Sequence, residues 1–336
     1  MPFLLPLKSL LFLSFAVLLL MVGGEAACVE SNPADLRMIS FHGQYGYING
    51  KGELRIPLRF DDAFPFANNG LAPVKEKGKW GYIDQQGKFI IPLRFDLALP
   101  FADNGLAPVK ENSGWGFIDQ RGKFIIPPRF AATWGFADGG LAPVMEKGKC
   151  GYIDQQGKFV IPSRFDDARP FADNGLAPVK EKGKWGYIDQ QGKFIIPPRF
   201  DDAWSFADNG LAAVEAKGKW GFISKQGKFA IPPRFDFAYT FTDNGLAGVM
   251  ENGKVGYIDK RGKFVIPLRF DDAGNFAENG LAWVKEEGRL GMIDRNMQFV
   301  LLETLVCGTM VLKNAKDEIV WPQKSAEHIC AEQDVK

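Results

Sequence analysis

The chain is 336 residues long and 46% hydrophobic, with 41 Lys and Arg against 40 Asp and Glu for a net charge of +1. Such a composition can bury a core and excludes a disordered chain. Lysines alternate with acids throughout, which argues against nucleic acid as a partner, since that needs a clustered basic face.

The first 26 residues stand apart. Lys8, the apolar run Leu10–Val22 and the small residues Gly23, Gly24, Ala26 and Ala27 have the charge, apolar core and exit of a secretory signal peptide. The run is shorter than the roughly 20 apolar residues of a membrane span; an uncleaved anchor is the alternative. Cys28 invites a lipid anchor, but Glu25 stands where lipoprotein signals carry a branched apolar residue. The expectation is therefore plain export, to the periplasm, the cell envelope or the medium, with 27–35 as a short linker.

From Leu36 to Ala315 one 35-residue unit returns eight times without insertion or deletion. The units are 36–70, 71–105, 106–140, 141–175, 176–210, 211–245, 246–280 and a degenerate 281–315, followed by a tail or cap at 316–336. A glycine marks the beat at Gly46, Gly81, Gly116, Gly151, Gly186, Gly221, Gly256 and Gly291. A fixed period in this range signals a solenoid, propeller or other repeat array.

Within one unit, Leu71–Lys75, Trp80–Asp84 and Phe89–Ile91 read as three strands. Glu76 to Lys79 forms a turn with Gly78 available for positive φ, and Asp84 to Gly87 has the Asp and Gly of a type I turn. Pro92 closes the meander. The connector that follows, with Arg-Phe-Asp and a constant phenylalanine (Phe66, Phe101, Phe136, Phe171, Phe206, Phe241, Phe276), reads as a short fourth strand or an ordered loop. Alternation places Phe89 and Ile91 opposite Ile90, so both faces are apolar and neighbouring units are expected to cover them. Leu305–Leu312 and Ile319–Pro322 read as an apolar hairpin closing the end. Of the four cysteines, Cys307 and Cys330 are the expected disulfide and Cys150 is expected in the core; their spacing matches no zinc pattern.

Lys-Trp-Gly-Tyr-Ile-Asp at 79–84, Gly-Lys-Phe-Ile-Ile-Pro at 87–92 and the Phe-Asp-Asp-Ala of 60–63 resemble the WG-repeat family, also called KWG repeats, across all eight units. The resemblance implies a β-structured repeat found mostly in bacterial proteins, a binding or scaffolding role, and no catalytic residues to carry over. The expected fold is all-β: tandem meanders stacked as an open, solenoid-like array, with a seven- or eight-bladed propeller as the alternative. Variable copy number in the family, and a unit short for a four-stranded blade, favour the open array.

Eight copies in one chain permit an internal comparison. The tryptophan column reads Tyr45, Trp80, Trp115, Cys150, Trp185, Trp220, Val255 and Leu290, always apolar but not always aromatic, which means packing and not a sugar-stacking ladder. The column two residues before the constant phenylalanine differs: Phe64, Leu99, Trp134, Arg169, Trp204, Tyr239 and Gly274. Phe64, Trp134, Arg169, Trp204 and Tyr239 are therefore candidate partner-binding residues, since aromatics and arginine dominate interface hot spots; the bland reading is that each ring lies over its own loop. Recurrent Arg59/Asp61 and Arg94/Asp96 pairs suggest an Arg–Asp ladder or plain solvation. The histidines are His42 and His328, and no nucleophile elbow, phosphate loop or metal motif is present, so neither a cofactor nor an enzyme is expected. The expected function is an exported, non-enzymatic module that binds a protein or an envelope glycan, with a purely structural envelope element as the alternative and a carboxylate hydrolase third.

Overall fold

The computed structural model describes residues 36–331 apart from 42, 49–53, 138, 277–279, 281, 308, 315 and 322–325. The expected leader 1–26 and linker 27–35, with Cys28, and His42 lie outside the described residues. The chain divides into two compact units, Met1–Arg199 and Phe200–Lys336.

In the first unit, β1 (Arg37–Phe41), β2 (Gln44–Ile48) and β3 (Leu54–Phe60) form a three-stranded sheet. The second sheet is β4 (Asp62–Ala63), β5 (Ala72–Glu76), β6 (Lys79–Ile83) and β7 (Phe89–Phe95), paired in that order. The same four-stranded pattern recurs as β8 to β11 within 97–130, β12 to β15 within 132–165 and β16 to β19 within 167–200. In the second unit it recurs as β20 to β23 within 202–235 and β24 to β27 within 237–270. The last sheet, β28 to β33 within 272–321, has six strands because the apolar C-terminal hairpin adds to its edge. A short helix, α1 (Ala326–Ala331), follows, and Cys330 on it is bonded to Cys307 across 5.2 Å between Cα atoms.

The chain is thus a tandem of separate antiparallel sheets, and none of them closes on itself. The connector is a strand: Asp62 and Ala63 pair with Lys75 and Val74. Pairing groups it with the three strands that follow it, so each later sheet begins just after Arg-Phe-Asp or its counterpart and not at Asn-Gly: Arg59 and Phe60 end β3, and Asp62 opens β4. Lys77 (φ 53°) and Gly78 (φ 77°) make the two-residue loop between β5 and β6, with positive φ at both positions as a type I′ hairpin requires. The Asp84 carboxylate accepts from the Gln86 and Lys88 amides and its carbonyl from Gly87, fixing the next turn.

The glycine after each tryptophan has a steric cause. Between Trp80↔Phe95 and Tyr82↔Ile91, β6 advances two residues while β7 advances four, so β7 bulges around Gly81 and carries Pro92 in the bulge. A Cβ on Gly81 would lie 2.6 Å from the Ile91 carbonyl oxygen, and one on Gly186 2.6 Å from that of Ile196. Glycine alone admits that backbone.

The core sits inside and between the sheets. Val74, Tyr82, Ile83 and Phe95 of the second sheet are fully buried. The Tyr82 hydroxyl donates to the Leu99 carbonyl of the third sheet at 2.8 Å, as Tyr152 does to Arg169. Phe95 meets Phe124 edge-on, with centroids 6.2 Å apart. Side chains, not ladder hydrogen bonds, join successive sheets here.

Two sequence expectations are corrected. No Arg–Asp ladder forms among the pairs described. Arg94 lies 4.6 Å over the Phe95 ring and donates to the Gly122 carbonyl, while the acids are met by lysine: Lys79–Asp96 at 2.7 Å and Lys149–Asp166 at 2.7 Å. Nor do neighbours cover both strand faces. Ile90 is 44% exposed, and Ile125, Val160, Ile195 and Val265 are similarly open, because β7 and its equivalents are edge strands with one face turned outward. The tryptophan column is core as expected, with Trp80, Trp185, Trp220, Cys150 and Val255 all buried.

Gly186→Ala should destabilise the protein by about 2–4 kcal/mol, since backbone and not a flexible side chain must yield; a thermal midpoint within a degree of wild type would contradict the bulge. Hydrogen bonding from Lys149 holds the Asp166 carboxyl below its usual range, so its stabilisation is complete above that range and is lost as pH falls through the lowered value. Asp166→Asn should therefore flatten the acid limb of the midpoint-against-pH curve below about pH 4. Burial pushes the Cys150 thiol up to about 12, and iodoacetamide at pH 8 should label it only after unfolding.

Candidate functional site

Strand register converts the variable column into a surface. Cross-strand partners share a face, and in the second sheet Asp62 pairs with Lys75, which pairs with Trp80. Phe64, two residues beyond Asp62, lies on the same face and its amide donates to the Pro73 carbonyl. Each sheet after the first therefore carries one row of four positions.

The rows differ in chemistry. The third sheet has Leu97, Leu99, Lys110 and Trp115; the fourth has Ala132, Trp134, Met145 and Cys150. The fifth has Asp167, Arg169, Lys180 and Trp185; the sixth has Asp202, Trp204, Glu215 and Trp220. The seventh has Phe237, Tyr239, Met250 and Val255; the eighth has Asp272, Gly274, Lys285 and Leu290. In two rows the replacements are coupled: where the acid becomes Ala132 or Phe237, the facing lysine becomes Met145 or Met250 and the tryptophan becomes Cys150 or Val255, whereas the third sheet sets Leu97 against Lys110 and Trp115. Burying or exposing one member of an ion pair alone costs more than replacing both.

The candidate residues lie over their own sheets. Phe64 sits 5.5 Å from Trp80, and the Arg169 guanidinium 4.5 Å over Trp185. Trp204 stacks on Trp220 at 6.4 Å and 28°, and Tyr239 meets Phe237 edge-on at 4.9 Å. Burial pushes the Tyr239 hydroxyl up to about 12. At Gly274 the place is taken from the facing strand: a Cβ there would lie 2.0 Å from the Trp283 indole nitrogen. Trp134 is the exception among the candidates, 49% exposed, and its row holds Cys150 where those of Phe64, Arg169 and Trp204 hold tryptophan.

Sequence comparison by column missed the third position of the row, Lys75, Lys110, Met145, Lys180, Glu215, Met250 and Lys285. The signal was present, since that column varies as much as the one beside it, but only the register shows the two to be neighbours. Burial first, then the Asp201 and Asp202 carboxylates, raise the pKa of Glu215. Among the described residues no group of three or more His, Cys, Asp or Glu could hold a metal ion. A cavity of about 290 Å³ lies beside the loops of the third and fourth sheets, lined by Asn104, Phe136, Gly140 and Gln155 among others.

The model of the WG containing repeat family matches seven tandem copies, at 45–80, 80–114, 115–150, 151–185, 185–220, 220–254 and 256–289. No curated protein matches the chain. Among solved structures, a crystal structure of the eukaryotic initiation factor is similar at a TM-score of 0.61 and 10% identity, over 83% of this chain and 93% of that one. The dihydro-heme d1 dehydrogenase NirN is similar at 0.50 and 15% identity, over 88% and 74%. At these identities the likeness shows the fold alone. With its Trp-Gly beat, its bulged third strand and seven matched copies, the chain belongs to the family of WG repeat proteins.

Proposed function

We propose that this protein is an exported, non-enzymatic binding or scaffolding module that holds a protein or an envelope glycan on the row of variable positions. The observation that carries the reading is Trp134. It is a half-exposed indole in a row without charge, on a frame whose other positions repeat almost unchanged. A large exposed aromatic costs solubility and brings no packing in return, whereas at an interface it is the kind of residue that dominates binding.

Export is supported by the apolar run Leu10–Val22 and by the Cys307–Cys330 disulfide, a bond that persists in oxidising compartments. Among the described residues no helix is long and apolar enough to cross a membrane. The non-enzymatic reading rests on the repetition itself, because an acid present in copy after copy belongs to the frame and not to one reactive centre.

The test is retention of the immobilised chain from residue 27 on purified envelope glycan and on envelope protein, with wild type and Trp134→Ala compared. Truncating an interface tryptophan costs about 2 kcal/mol or more, so retention should fall by about tenfold or more while the thermal midpoint moves by no more than about two degrees. Unchanged retention, or a uniform decline as sheets are removed one by one, would favour a purely structural element.

A further inference from the structure

Two loops lie side by side in the third and fourth sheets, since a Cβ on Gly105 would lie 3.5 Å from the Gln120 amide and one on Gly140 3.8 Å from that of Gln155. One loop follows the constant phenylalanine and carries Asp103-Asn104-Gly105 in the third sheet; the other is the turn Asp154-Gln155-Gln156-Gly157 in the fourth. Asn104 caps its own loop. The Leu106 amide donates to its Oδ1 at 3.0 Å, and its Nδ2 is buried without an acceptor in the chain. A buried donor left so is costly until something accepts from it. The amides of Asn69, Asn174 and Asn244 stand alike, so this donor belongs to the frame. Asp103, one residue earlier, is exposed, and one of its oxygens accepts from Asn68 of the second sheet at 2.8 Å. That bond aims the carboxylate and leaves the other oxygen as an acceptor.

The next loops decide what lies in front of this donor. The fourth sheet has Gly139 in the asparagine's place, and there Gln190 of the fifth sheet moves in: a Cβ on Gly139 would lie 2.8 Å from its Nε2. One step earlier Asn104 keeps its side chain, Gln155 stays over Gly140, and a cavity of about 290 Å³ lies between the loops. Asp103, Asn104 and Gln155 form its polar wall, and Ala102, Phe136 and Ala137 its apolar one. Ligand pockets run from about 300 to 1,000 Å³, so this one takes a single ring and not an extended chain. The polar wall has one carboxylate, two carboxamides and no basic residue, which suits a neutral polar ligand. A donor and a carboxylate on adjacent residues match a secondary amide, whose carbonyl accepts and whose N–H donates, and the apolar wall suits its methyl group. Gln155 donates and accepts at once, as a hydroxyl does.

We propose that this cavity binds one 2-acetamido pyranose ring of an envelope glycan. The inference rests on the reading of the chain as an exported binding module; it selects glycan over protein and adds a site beside the variable row. Asn104 Nδ2 donates to the acetamido carbonyl, and the remaining oxygen of Asp103 accepts from the acetamido N–H. The methyl group rests against Phe136 and Ala137, and Gln155 meets a ring hydroxyl. Trp134, half-exposed, stands two residues before Phe136, within about 7 Å of it along the chain, so the cavity and the indole belong to the same stretch of the fourth sheet.

The probe is methyl N-acetyl-β-glucosaminide, titrated into the chain from residue 27 and followed by the side-chain amide resonances of Asn104 and Gln155. Methyl β-glucoside, which lacks the acetamido group, and N-acetyl-alanine methylamide, which lacks the ring, are titrated in parallel. The acetamido sugar should bind and shift both resonances, and each of the others should bind at least about fivefold more weakly. Asn104→Gly should weaken binding by about fivefold or more. That variant installs the residue which the fourth sheet carries at Gly139, and an unchanged thermal midpoint verifies the fold. Gln155→Lys, the arrangement of Lys225 and Lys260 in the sixth and seventh sheets, should act likewise, and it decides the matter should Asn104→Gly lower the midpoint. Equal binding of the glucoside, or an affinity untouched by both variants, would overturn the assignment. So would equal binding of the alanine amide, which would point to a peptide in place of a sugar. Failure here while Trp134→Ala still lowers retention would overturn this site alone; failure of both overturns the reading of the chain as a binding module.

Discussion

A carbonyl oxygen 2.5–2.7 Å from where a side chain would begin is the constraint on which the first seven sheets depend, while Gly291 of the last pairs directly with Leu302. The third strand spends extra residues opposite Gly81, and those residues swing its backbone against the second strand. The bulge explains three things at once. It requires glycine at the beat, it gives a place to a proline that could not donate to a ladder, and it brings Ile91 and Phe95 inward on a strand whose partner is shorter. The preceding position, Trp80 in this sheet, is buried beside the same bulge, but the bulge also forms where that position is Tyr45, Cys150 or Val255, so the glycine alone is the steric requirement.

Rigidity at that point frees the other end of the sheet. Once the bulge, the type I′ loop and the Asp84 turn define the backbone, the row at the connector strand is anchored by register and its side chains can vary. Some vary as sets: acid, lysine and tryptophan occur together in the second and fifth sheets, and apolar residue, methionine and a small core filler in the fourth and seventh. The third, sixth and eighth sheets break the sets, with Leu97 against Lys110, Asp202 against Glu215, and Leu290 beside Asp272 and Lys285.

Several of the contacts that join successive sheets within each unit ignore the identity of the row. A tyrosine hydroxyl reaches a connector carbonyl, an arginine lies over its own phenylalanine and donates to a turn glycine's carbonyl, and phenylalanines meet edge to face. The tyrosines use only the backbone of the variable positions, so the side chain there can change without loss of these bonds, whereas Trp220 against Phe237 joins the sixth and seventh sheets through two side chains of the rows. Ile90 and its equivalents face outward on edge strands protected by Pro92 and its counterparts against pairing with another strand.

The period of the repeat, its strands, its turns and the core role of the tryptophan column were legible in the sequence, because each follows from local pattern: alternation, Asp and Gly at turn positions, apolarity kept through eight copies. The Cys307 and Cys330 positions were legible too, as residues flanking one end of the array. Three things were decided only by tertiary structure. The connector's pairing with the strands after it sets Asp62 against Lys75 through hydrogen bonds such as that from the Asp61 amide to the Lys75 carbonyl, which no local window contains. The exchange of partners, lysine for the acids and phenylalanine for the arginines, depends on which side chains the bulge brings together. And the row itself exists only through register: Phe64 and Lys75 are separate columns in the sequence, but antiparallel pairing makes them neighbours, and with them Trp204 and Glu215.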